Sequence, residues 1–113
     1  MDSGFRVEVS TRGAASVVSV AGELDLATSS ALEQELERLA GEHVPLVIVD
    51  LSELDFMDST GLSVLVRAHQ RSAQAGQRFG LVNGSSQVQR LLDLTGVADR
   101  LTLAESPQLL DEA

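Results

Sequence analysis

Leu46-Val47-Ile48-Val49 decides the fold: four consecutive apolar residues, three of them β-branched, preceded by Val44-Pro45 and followed by Asp50. A half-buried strand alternates apolar with polar residues, whereas a strand covered on both faces, as in a parallel sheet, reads as an unbroken apolar run. This run is expected at the centre of a sheet.

Upstream, Leu32, Leu36 and Leu39 recur at helical spacing. Ser30 followed three residues later by Glu33 reads as a capping box, and Gly41 as the C-terminal stop. Before that helix, Phe5, Val7 and Val9 alternate with Arg6, Glu8 and Ser10, the polar turn Thr11-Arg12-Gly13 follows, and Val17 to Ala21 reads as a second strand closed by Gly22. The chain is thus expected to open with an antiparallel hairpin.

Downstream, Ser52 to Asp58 reads as a short acidic connection into a second helix, with Leu62, Leu65, Val66 and His69 as its apolar stripe and an end near Gly76. Phe79 to Val82 is a further strand and Asn83-Gly84 a turn. Ser85 or Ser86 caps a third helix carrying Val88, Leu91 and Leu92 before Gly96. Leu101 to Leu103 reads as a weak strand, and Ser106-Pro107 begins a short closing helix with Leu109 and Leu110. The order is β-β-α-β-α-β-α-β-α: an α/β chain, a single domain over residues 1–113 with its core at about 5–105, and a mixed sheet packed with four helices.

The 113 residues carry 17 acidic and 8 basic side chains, a net charge of −9, and every basic residue is Arg. The electrostatic attraction that drives nucleic-acid binding is missing at the level of the whole chain, and anionic membrane is an equally poor partner. No apolar stretch is long enough to span a bilayer, and Met1-Asp2-Ser3-Gly4 lacks the basic and apolar regions of a signal peptide, so a cytoplasmic protein is expected. With no Cys there is no disulfide framework and no thiolate site. Hydrophobic residues make up 43%, enough for a core, but with only three Phe as aromatics that core must be built from Leu, Val and Ala.

His43 and His69 stand apart from each other and from any metal-ligand spacing, so each reads as a surface or boundary residue and no metal is expected. The Walker loop needs a lysine the chain lacks, and no G-x-G-x-x-G opens a helix, so no nucleotide cofactor is expected either. Asn83-Gly84-Ser85 matches a glycosylation triplet but reads as a turn into a helix cap.

The one dense polar cluster is Asp50 to Leu62, which includes Asp55, Asp58, Ser59, Thr60 and Gly61. Asp58 or Ser59 can cap the second helix while the other acids decorate a loop. A hydrolytic Ser59 would need a glycine where Met57 stands, and has no His placed as its base. A carboxylate dyad of Asp55 or Asp58 with another acid would need an apolar cleft for which there is little aromatic material, so no enzyme is expected. The fourth reading is a switch. A serine in a helix's first turn points outward, and a phosphate there meets free N–H groups and the positive end of the helix dipole. A docked partner would meet about −1.5 to −2 units of new charge beside Asp58.

At these residues the chain resembles the STAS domains, specifically the single-domain bacterial anti-sigma factor antagonists. The likeness lies in Gly22-Glu23-Leu24-Asp25, in Phe56-Met57-Asp58-Ser59-Thr60-Gly61-Leu62 and in Arg90-Leu91-Leu92-Asp93-Leu94-Thr95-Gly96. It implies a partner-switching regulator of transcription. The unphosphorylated form binds an anti-sigma factor that is also a serine kinase with a histidine-kinase-like ATPase fold, and so frees a sigma factor. Phosphorylation of Ser59 ends binding, and a PP2C-type phosphatase reverses it. Thr60, where the family often has Ser, is a second candidate phosphoacceptor. The resemblance places Glu23, Asp25, Asp58, Ser59, Thr60, Gly61 and Leu91 on the docking surface of a monomer or weak dimer. Glu23 and Asp25 can equally be a polar turn, and Leu91 a core flank. The alternative role for the same fold is a scaffold module of an anion transporter, a lipid-transport ATPase or a signalling complex, without the phosphoswitch. Small-molecule sensing by the domain alone has no loop motif behind it.

Overall fold

The computed structural model describes residues 4–96 and 102–104. The expected closing helix at Ser106 to Leu110 lies outside the described residues. The elements in chain order are β1 (Arg6–Arg12), β2 (Ala15–Leu24), α1 (Ser29–Gly41), β3 (Leu46–Met57), α2 (Ser59–Gln74), β4 (Arg78–Val82), α3 (Ser86–Leu94) and β5 (Thr102–Ala104). They form a five-stranded sheet in the order β1-β2-β3-β4-β5, antiparallel between β1 and β2 and parallel thereafter.

Leu46 to Val49 is the middle of that sheet and is buried throughout, as an unbroken apolar run requires. Val47 and Val49 join Val18, Val20 and Leu81 in a core completed by Leu32 and Leu36 of α1, Leu65 of α2, and Val88 and Leu92 of α3. On the opposite face Leu46 and Ile48 are buried with Ala15, Val17 and Val82.

The chain departs from the sequence reading mainly around the acidic segment. Ser52 to Met57 is not a connection but the second half of β3, and Gly22 does not end β2, which continues to Leu24. Two register shifts explain why the pattern is hard to read. From the pair Ser19↔Asp50 to Ala21↔Glu53, β2 advances two residues and β3 three; from Gly22↔Leu54 to Glu23↔Phe56, β2 advances one and β3 two. Each shift is a bulge with the extra residue on β3, so the buried residues fall at every third place, Leu51, Leu54 and Met57. Asp50 Oδ1 accepts the Ser52 N–H at 2.9 Å and so supports the first bulge. Opposite the second, Gly22 has φ +93 and a Cβ there would lie 2.7 Å from the Gly4 carbonyl oxygen, so this strand position requires glycine.

Helix ends differ as well. α1 is entered through Thr28 and Ser30 is already its second residue, so no capping box forms there; Asp25 Oδ1 instead accepts the Ala27 and Thr28 amides of the turn before the helix. Gly41 is the last helical residue, and the left-handed residue after α1 is His43, with φ 58. In α2 the buried line is Gly61, Leu62, Val64, Leu65, Ala68 and Ser72, one step round from the expected stripe. Val66 and His69 lie at its border, half-buried. The His69 ring meets Phe79 edge-on, with centroids 6.0 Å apart.

Candidate functional site

The two polar segments that stood out in the sequence meet at the carboxyl ends of β2 and β3. Leu24 pairs with Met57, Glu23 with Phe56, and the Asp58 N–H donates to the Leu24 carbonyl at 3.1 Å. The chain then turns into α2 under a tight cap: Asp58 Oδ1 accepts from the Thr60 N–H at 2.9 Å and the Gly61 N–H at 3.1 Å. Ser59 is the first helical residue and is exposed. Its carbonyl accepts the Ser63 hydroxyl at 2.9 Å.

The other expected site residues fall into different places. Thr60 is half-buried. Gly61 is buried, and a Cβ at that position would lie 2.7 Å from Leu24 Cγ and 3.0 Å from the Leu24 carbonyl oxygen. Its missing side chain therefore makes room for Leu24. Glu23 is exposed. Asp25 Oδ1 accepts from the Ala27 N–H, the Thr28 N–H and the Thr28 hydroxyl, at 3.0, 3.2 and 3.1 Å, and the same hydroxyl lies 2.8 Å from the Glu23 carbonyl. Asp25 is thus spent largely inside its own turn. Leu91 is half-buried and packs against the main core.

Four residues that the sequence reading did not name as site residues stand out. Leu26 is 78% exposed, in the turn that Asp25 builds; Leu94 of α3 is 74% exposed, and Phe56 is 39% exposed. Leu26 and Leu94 are apolar residues outside any buried stripe, which is the only sequence signal they carry. Gln87, in the first turn of α3, has none. Its Oε1 accepts the Met57 N–H at 3.1 Å and its Nε2 donates to the Met57 carbonyl at 3.2 Å. Among the described residues no group of three or more His, Asp or Glu is placed to hold a metal ion, and no helix is long and apolar enough to cross a membrane.

A family model for the STAS domain matches residues 6–109. The chain belongs to the STAS domain family. Among its STAS relatives, the anti-sigma-F factor antagonist RsfB of Mycobacterium tuberculosis is 31% identical over 91 residues, 80% of this chain and 74% of RsfB. A solved anti-sigma factor antagonist from Mycobacterium paratuberculosis superposes with a TM-score of 0.87 at 29% identity, covering 96% of this chain and 92% of the other. The Bacillus cell-fate determinant SpoIIAA shares the STAS fold in both its unphosphorylated and phosphorylated forms. The TM-scores are 0.77 and 0.71 at 23% and 21% identity, each over 96% of this chain and over 94% and 97% of SpoIIAA.

Proposed function

We propose that this STAS domain is an anti-sigma factor antagonist controlled by phosphorylation of Ser59. The carrying observation is Ser59 itself: exposed, first in α2, with Asp58 capping the helix beside it. Relatives named as antagonists of anti-sigma factors supply the partner class. The partner is a serine kinase with a histidine-kinase-like ATPase fold. Ser59 Oγ attacks the γ-phosphorus of ATP, the new P–O bond replaces the bond to ADP, and the hydroxyl proton passes to a base of the kinase. The product carries about −1.5 to −2 charges next to Asp58 in the docking surface, which repels the partner without requiring the fold to change. A PP2C-type phosphatase resets the switch by hydrolysis.

The test is incubation of the chain with ATP and each purified histidine-kinase-like serine kinase of the source cell, followed by peptide mass spectrometry. One phosphate at Ser59 is expected, with none on Ser59→Ala. Phosphate at Thr60 alone would move the acceptor by one residue. No phosphate with any kinase, together with capture of a transporter or signalling complex, would favour the scaffold role.

A further inference from the structure

β3 outruns its neighbour. The last pair between β3 and β4 is Asp50↔Val82, so residues 51–57 have β2 on one side and no strand of the described residues on the other. Backbone amides and carbonyls on such an edge need partners. Beyond β4 the chain turns back onto this edge: a Cβ on Gly84 would lie 2.6 Å from the Leu51 carbonyl oxygen, an approach that only glycine permits. Ser85 then caps α3 by accepting the Val88 N–H at 3.4 Å. In the turn so fixed, the Gln87 carboxamide pairs with both polar groups of Met57. A donor and an acceptor on one planar amide reproduce what a residue of an adjacent strand would offer.

We propose that Gln87 is a positioning residue: its carboxamide replaces the missing strand at the end of β3 and holds Met57, and through it the Asp58 cap and Ser59, at a fixed place relative to α3. Met57 is then gripped from both sides, by β2 through the Leu24 register and by α3 through Gln87. Because Gln87 is exposed, its bonds add little to the core; their effect is on geometry. A partner that reads Ser59 and α3 together meets one rigid surface in place of two loosely related ones. The consequence for recognition rests on the function proposed above, whereas the grip on Met57 does not.

Gln87→Met keeps the length of the side chain and removes both bonds. Amide hydrogen exchange followed by NMR should show Met57 exchanging about tenfold faster, with the melting temperature within about 3 °C of the parent. With the kinase and ATP, KM for the chain as substrate should rise several-fold, to about tenfold, while kcat stays within about twofold. Gln87→Glu, which keeps the acceptor for the Met57 N–H and loses the donor, should fall between, and it carries the test if the Met variant does not fold. Unchanged exchange at Met57 would overturn the grip, and faster exchange with unchanged KM would overturn the role in recognition. If no kinase phosphorylates the parent chain, the proposed function fails, and exchange at Met57 still decides whether Gln87 holds the end of β3.

Discussion

Gly61 sets two residue-scale effects against each other. Alanine is the better helix former by up to about 1 kcal/mol, but its methyl group would stand 2.7 Å from Leu24 Cγ, and the nearby Leu24 carbonyl cannot swing aside. Overpacking of this kind costs about 1–3 kcal/mol, so packing wins. Gly61→Ala should lower unfolding stability by about 1 kcal/mol or more in a urea titration, and a stability equal to the parent would show that Leu24 relaxes freely. Asp58 serves the helix directly. Asp58→Ala leaves the Thr60 and Gly61 amides without their acceptor and should cost about 0.5–2 kcal/mol, while Asp58→Asn, which can still accept, should recover most of it. The cap was legible in the sequence because capping is local. The reason for Gly61 was not, because Leu24 reaches it from another strand.

At the scale of elements, α1 and α2 are joined by Glu33, whose carboxylate accepts from Arg67 Nε at 2.9 Å and Arg67 Nη2 at 3.2 Å, with Arg71 3.9 Å away. The hydrogen bonding from Arg67 outweighs desolvation and holds the Glu33 carboxyl below the usual glutamate range. With the folded-state pKa below the unfolded one, the pair stabilises fully at neutral pH and loses its contribution as pH falls through the folded value. The pair is largely solvent-exposed, so the effect is small and salt-sensitive. Glu33→Gln should therefore melt slightly lower than the parent at pH 7, with the gap closing as pH falls below the usual glutamate range and shrinking in about 1 M salt. A gap that widens on acidification would contradict the assignment. Glu33 had suggested a capping box, but α1 begins one residue before Ser30 and the Glu33 carboxylate is turned to Arg67 of α2, a partner that no local pattern shows.

Over the whole molecule, apolar side chains are left outside the core at Leu26 and Phe56, on the end bearing the exposed Ser59, and at Leu94, the last residue of α3. Leu91 and Leu94 of α3 should separate under the same change. Leu94→Lys is expected to keep the melting temperature within a few degrees and to weaken kinase binding by at least about 1.4 kcal/mol, a factor of ten. Leu91→Lys should lower the melting temperature, because that side chain packs against the core. Equal binding by parent and Leu94→Lys in a titration would remove Leu94 from the interface. The sequence by itself determined the alternation of strands and helices, the central place of Leu46 to Val49, and the capped, outward serine at the start of α2. All of these follow from periodicity and from bonds spanning a few residues. Only the tertiary structure decided that the acidic stretch is a bulged strand, that Gly61 yields to Leu24, and that Gln87 grips Met57. Each of these depends on two segments far apart in the chain meeting in one register, and a pattern within either segment carries no record of the other.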